Sequence, residues 1–204
     1  MIRSFSVLVL VALLQACATY PVDKSPNNAS SATQSLNHQH LEHIAQIKGF
    51  ALKGRIGVQT ENEGFSGTLD WSHDLNTDDI AIYSPLGGQV ASIKKTPDMV
   101  TLEDAKGHRV SAQDAETLTE NTLGWRLPLT GLADWSLGRP THSPVQASSW
   151  DDKGHLITLK QDGWDINYSN YLAFDGYQLP GKVVLRSTKV NIKLIIENRS
   201  SIKY

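Results

Sequence analysis

Apolar and polar residues alternate with a period of two over most of the chain between Phe50 and Ile196, which predicts an antiparallel β meander. Phe50, Leu52, Ile56 and Val58 alternate with Ala51, Lys53, Arg55 and Gln59, and Phe65, Leu69 and Trp71 alternate with Ser66, Thr68 and Asp70. Further strands are predicted at 80–84, 88–95, 98–104, 107–112, 145–150, 155–161, 164–168, 182–187 and 190–196, eleven in all. Turn residues such as Asn62, Asn76, Gly87 and Gly107 separate them, as do the tight connections Asp152-Lys153-Gly154 and Asp162-Gly163. Gly54, Gly57, Gly64 and Gly67 fall inside the first two strands, where glycine weakens a strand but permits bending and close backbone approach.

The period changes in three places. Leu36, Leu41, Ile44 and Ile47 predict a helix over 35–48, stopped by Gly49, with His38, His40 and His43 as exposed polar positions. After the sixth strand, Asp114 is a helix cap for 115–123, ended by Gly124, and a second short helix spans 129–137, ended by Gly138-Arg139-Pro140. Eleven strands in one sheet must curl, and the concave face then needs an apolar cover. The helical insertion, with Trp125, Leu127, Leu129, Leu132, Trp135 and Leu137, and the first helix are the candidates for that cover. A curled sheet under helices encloses an apolar cavity, whose candidate lining or lid residues are Trp71, Trp125, Leu129, Leu132 and Trp135. A β-sandwich with a filled core fits the same pattern.

The N-terminus adds an address. Arg3 precedes the apolar run Phe5–Leu14, too short to span a bilayer in a helix but suited to a cleaved export signal. Cys17, the chain's one cysteine, follows in Leu14-Gln15-Ala16-Cys17, which resembles a bacterial lipobox. That resemblance makes Cys17 an acylated first residue of the mature protein; the alternative is an ordinary signal with a cysteine near the cleavage site by chance. Residues 18–33 are mostly Ser, Thr, Asn, Pro and Ala, with no apolar stripe, and form a tether reaching roughly 20–25 Å. Ala18 rather than Asp after the cysteine resembles the sorting signal for the outer membrane of a Gram-negative bacterium. The expected organisation is a signal at 1–16, an acylated anchor and tether at 17–34, and one domain at 35–204.

Charge is balanced, with 19 Lys and Arg against 21 Asp and Glu, so nucleic acid is not expected as a partner. His40 and His43 share a helix face without a third ligand nearby, and no metal site or other cofactor is expected.

Taken in order, several segments resemble the LolB family of outer-membrane lipoprotein receptors. They are the helix leading into Lys53-Gly54, Trp71, Ser84-Pro85-Leu86-Gly87, Asp114-Ala115-Glu116, Pro128-Leu129, Trp135-x-Leu137-Gly138-x-Pro140 and Tyr168. The resemblance implies an incomplete, half-open antiparallel barrel of about eleven strands with a helical lid over a hydrophobic cavity. It also implies a monomeric receptor, not an enzyme, that accepts acylated lipoprotein cargo from a periplasmic carrier of the LolA type and places it among outer-membrane lipids. The family's exposed loop with its functionally important leucine corresponds to Pro85, Leu86 and Gly87, a membrane-insertion loop in which Leu86 is the only large apolar group.

Other readings are a lipocalin-like lipid binder, a structural envelope lipoprotein, and a hydrolase using Ser92-x-x-Lys95 or Ser200-x-x-Lys203. The hydrolase reading lacks the companion motifs of that chemistry, and the adjacent carboxylates Asp78-Asp79 and Asp151-Asp152 sit in turn-like sequence. No catalytic residue is expected.

Overall fold

The computed structural model describes residues 31–204; Cys17, with the export signal and the polar segment up to residue 30, lies outside the described residues. A helix α1 (Ser31–Ile44) leads into six strands, β1 (Gly49–Thr60), β2 (Gly64–Asp74), β3 (Thr77–Tyr83), β4 (Gln89–Lys95), β5 (Val100–Asp104) and β6 (Arg109–Ala112). Helices α2 (Ala115–Leu123) and α3 (Leu129–Ser136) intervene before β7 (Val145–Trp150), β8 (Leu156–Gln161), β9 (Trp164–Phe174), β10 (Tyr177–Arg186) and β11 (Val190–Lys203). All eleven strands form one antiparallel sheet in the order β6-β5-β4-β3-β2-β1-β11-β10-β9-β8-β7. The first strand pairs with the last, and β6 and β7 remain unjoined edges, so the barrel is incomplete. The filled-sandwich alternative is excluded, because a sandwich needs two sheets.

Period-two burial runs through β1, where Phe50, Leu52, Ile56 and Val58 face the core while Lys53 and Arg55 face solvent. Of the four glycines expected to permit bending, two are required. A Cβ on Gly54 would lie 2.2 Å from the Ile195 carbonyl oxygen, and one on Gly67 would lie 2.1 Å from that of Tyr83. At Gly57 the same atom would meet only the Lys193 side chain, 3.9 Å away.

The last three strands extend well beyond the alternating stretches. β9 and β10 continue to an Asp175-Gly176 turn in which both residues have positive φ, the conformation that suits a two-residue hairpin. Pro180-Gly181 interrupts the pattern, yet Pro180 sits within β10 opposite Tyr171. Asp114 accepts a hydrogen bond from the Glu116 N–H at 3.0 Å, and Gly124 ends α2 in the left-handed region, as the sequence predicts.

α1 differs from expectation in register and in its buried face. It starts four residues earlier and ends at Ile44, leaving Ile47 in the connection to β1. Leu36 is 40% exposed, whereas Asn37 is buried and donates to the Gly154 carbonyl at 2.8 Å. Nor is His40 an exposed position: it is half-buried, with its ring edge-on to His155 at 4.8 Å. Arg139, just past α3, donates to the Ile44 and Ile47 carbonyls and pairs with Asp134, fastening the helices to one another at the end of the sheet where β1 begins.

Burial, assisted by repulsion from His155 and His43 and opposed by Asp151, pushes the His40 imidazole down to about 4 from an ordinary 6.5. The unfolded chain therefore takes up this proton first as pH falls. Stability from this site is complete above pH 6.5 and is lost as pH falls toward 4. In urea unfolding at pH 7 and pH 5, the wild type should lose about 1 kcal/mol more between the two than His40→Gln, after allowing for partial solvent screening. Equal losses would contradict this.

Candidate functional site

The β3–β4 connection is a stiff, closed turn. The Ser84 carbonyl accepts from the Gly87 N–H at 2.9 Å, and the Ser84 N–H donates to the Gly88 carbonyl at 2.8 Å. Pro85 fixes its own φ in the first central position, and Gly87, at φ 86°, takes the left-handed position that closes a three-residue hairpin. Leu86 is left at the tip with 98% of its surface exposed. Holding such a side chain in water forgoes about 2 kcal/mol of burial.

Directly behind this turn lies an apolar cavity of about 220 Å³. Ile82 and Val90, on either side of the hairpin, form part of its wall, with Val58, Phe65, Leu123 and Trp125. On the far side of Trp125 a wider polar hollow of about 590 Å³ opens between the ends of β1, β8 and β10 and helix α2. Arg126 lies on its wall with its guanidinium 3.5 Å from Glu116 and 3.3 Å from Glu120. Burial raises the Glu116 carboxyl pKa, with Arg126 pulling the other way. Trp125, together with Thr60 at the end of β1, lines both hollows and is the large apolar part of the wall between them.

The three tryptophans singled out in the sequence are held differently. The Trp71 indole donates to buried Asp78 at 2.9 Å, and the same carboxylate receives His73 at 2.8 Å and Lys95 at 3.2 Å. Burial alone would raise the Asp78 pKa, but His73, Trp71 and Lys95 together hold it below its ordinary value. Trp135 donates to Gln161 at 3.0 Å, and that amide also binds Thr141 and Ser143. No hydrogen bond among the described residues holds Trp125. Trp71, Trp135, Leu129 and Leu132 sit in the packed core between sheet and helices; Trp125 is the one of the five that lines the cavity. Val58, Phe65, Ile82, Val90 and Leu123 were not singled out from the sequence. A usable signal existed for Ile82, an inward-parity residue just before the Pro-Leu-Gly turn, whereas Val90 shares the parity of outward Ser92 and is the extra residue of a bulge opposite the Ile82–Tyr83 step.

Enzyme-like pairs are not assembled. Residues three apart on a strand face opposite sides. Ser92 accordingly lines the outer surface beside Lys94 and Glu103, while Lys95 reaches inward to Asp78. Lys203 is engaged by Asp74, and Asp79 turns outward to Lys94 while Asp78 is buried. Among the described residues no group of three or more His, Cys, Asp or Glu is placed to hold a metal.

The family model for outer membrane lipoprotein LolB matches residues 48–198. The outer-membrane lipoprotein LolB of Pseudomonas fluorescens strain Pf-5 is 33% identical over 196 residues, 96% of this chain and 95% of that protein. Its counterpart in Stutzerimonas stutzeri is 33% identical over 192 residues, 93% of this chain and 91% of that protein. Among solved structures, a LolA superfamily protein from Nitrosomonas europaea superposes with a TM-score of 0.54 at 10% identity, covering 86% of this chain and 96% of that one. That likeness is one of fold.

If Trp125 is the partition, Trp125→Ala should merge the two hollows and raise binding of an apolar fluorescent probe such as N-phenylnaphthylamine severalfold. Asp78→Asn, which strips a buried carboxylate from His73 and Lys95, should instead cost about 3 kcal/mol in urea unfolding. Unchanged probe binding by Trp125→Ala would contradict the partition.

Proposed function

This chain belongs to the LolB family of outer membrane lipoproteins, and from that membership we propose that it accepts acylated lipoproteins from a LolA-type periplasmic carrier and inserts them into the outer membrane. The observation that carries the reading is the exposed Leu86 on a rigid hairpin whose flanking residues, Ile82 and Val90, line the apolar cavity. A group meant to enter lipid must project from the protein, and a group meant to direct an acyl chain must stand beside the chamber that releases it. Leu86 meets both conditions, with Pro85 and Gly87 setting its angle.

Energetics explain why a closed chamber is needed. Each methylene exposed to water costs about 0.8 kcal/mol, so an acyl chain of roughly sixteen carbons costs on the order of 12 kcal/mol. Such cargo passes between proteins mouth to mouth. A cavity of about 220 Å³ is smaller than the 300–1,000 Å³ typical of sites for drug-sized ligands, so taking up an acyl chain requires it to widen. The segment that opens is α2 with its connection to α3, bounded by Gly124 and Pro128, because Trp125 closes the chamber without a hydrogen bond to hold it. No covalent chemistry is required, and direction comes from tighter binding in the receiver than in the carrier.

In this account residues 1–16 are the export signal, Cys17 carries the lipid anchor, 17–34 include the tether, and 35–204 act as a monomeric cargo-binding unit on the periplasmic face of the outer membrane. Trp125 belongs to the lid. Trp71, Leu129, Leu132 and Trp135 form the packed support beneath it.

The reading is tested by transfer of a fluorescent acylated lipoprotein from loaded carrier to protein and then to liposomes. Leu86→Glu should leave folding and acceptance from the carrier unchanged and slow delivery to liposomes at least about tenfold, since a buried charge replaces an apolar contact. Delivery at the wild-type rate would remove Leu86 from the mechanism, and a wild-type protein that accepts no cargo would refute the function itself.

A further inference from the structure

At the end of the sheet opposite Leu86, β10 and β11 part company. They pair only over Lys182–Arg186 and Asn191–Ile195; beyond that, β10 stays with β9 and β11 with β1. Against β1, one residue of β11 is unmatched on each side of Asn198-Arg199, the mark of two bulges that bend the strand. A cleft of about 200 Å³ lies at this split, bounded by Leu172, Phe174, Leu179, Pro180, Asn198 and Arg199.

Arg199 is only 7% exposed and has no carboxylate partner among the described residues. Its Nη2 donates to the Ser136 carbonyl at 2.9 Å and to the Pro180 carbonyl at 3.1 Å, while Nη1 is buried without a partner. The Ser136 carbonyl belongs to the negative end of α3, which offsets part of the charge. Burial still lowers the guanidinium pKa to about 10. One acid, Glu197, also lines the cleft, but its carboxylate is neutralised by Arg55 at 2.6 Å. A buried, incompletely paired cation is rare in folded proteins and calls for a counter-ion.

We propose that the cleft between β10 and β11 is an anion site that receives a phosphate group, with Arg199 as its cationic partner. The planar guanidinium offers a fork of donors suited to phosphate oxygens. The rim fits a phosphate carried on an apolar body: Leu172 stands 59% exposed beside Phe174 and Pro180. The volume holds a headgroup and excludes acyl chains. Because Nη1 lies below the surface, entry of the anion turns the guanidinium toward the cleft and exchanges a carbonyl contact for phosphate. The site is remote from the Leu86 chamber and stands or falls independently of cargo transfer.

Isothermal titration of the full chain in non-ionic detergent, at constant ionic strength, tests this with inorganic phosphate, dihexanoyl phosphatidylglycerol and acetate. Phosphate should bind the wild type, and Arg199→Met should weaken it about ten- to hundredfold, with Arg199→Lys retaining part of the affinity. Tighter binding of the short-chain lipid, reduced by Leu172→Asp, assigns the site to membrane headgroups; equal binding assigns it to free phosphate. If Arg199→Met does not fold, the Arg199 side-chain Nε–H resonance of the wild type should shift on phosphate addition. Absence of phosphate binding, binding unaltered in Arg199→Met, tighter binding of acetate than phosphate, or an unmoved Arg199 resonance would overturn the proposal.

Discussion

The concave face of the sheet gathers one inward side chain from every second residue of eleven strands, and because β6 and β7 do not pair, the sheet cannot hide that face by closing on itself. Water must be kept off it by something else. α2, α3 and the segment between them supply that cover: Leu118, Leu127, Leu129, Leu132 and Trp135 belong to one buried cluster with Phe50, Trp71, Leu102, Ile166 and Leu185 of the strands. An unclosed sheet with a helical cover has a property that a closed barrel lacks: its apolar interior is opened by moving helices and leaves the strand ladders intact.

The cover is not uniformly fixed. Trp71 and Trp135 are anchored by buried polar partners, and Arg139 fastens the end of α3 to the end of α1. At the other end the α2–α3 connection carries Trp125, which has the bulk to seal the chamber but no hydrogen bond holding it, and Arg126, whose ion pairs are with glutamates of its own helix pair rather than with the sheet. Attachment is therefore strong where the chain enters the sheet and weak beside Leu86. Under the proposed function, opening at the weak end would place an uncovered acyl chain next to exposed Leu86.

Much of this was legible in the sequence where a local rule sufficed. Asp114 and Gly124 marked α2 because cap chemistry depends on neighbouring residues alone, whereas Leu86 stood out through the resemblance to the LolB family, the turn itself showing only that it carries a single large apolar group. The ends of β9, β10 and β11 were not legible, since Pro180-Gly181 and Arg199 break the alternation and are tolerated only where the sheet splits. Leu36 read as core-facing and His40 as solvent-facing because the contacts that set the buried face of α1, Asn37 with Gly154 and His40 with His155, come from a distant turn. The division of labour among the tryptophans was hidden for the same reason. Trp71 and Trp125 differ through Asp78 and through the cavity beside Ile82, which depend on how helix and sheet meet.

The account rests on the chamber opening by displacement of α2 and its connection to α3 while the sheet holds. Hydrogen–deuterium exchange with and without bound acylated lipoprotein measures this directly. Amides of residues 115–128 should lose protection when cargo is bound, with β1, β2 and β11 unchanged. Unaltered exchange over 115–128 in a cargo-saturated protein, or loss of protection spread through the central strands, would contradict it.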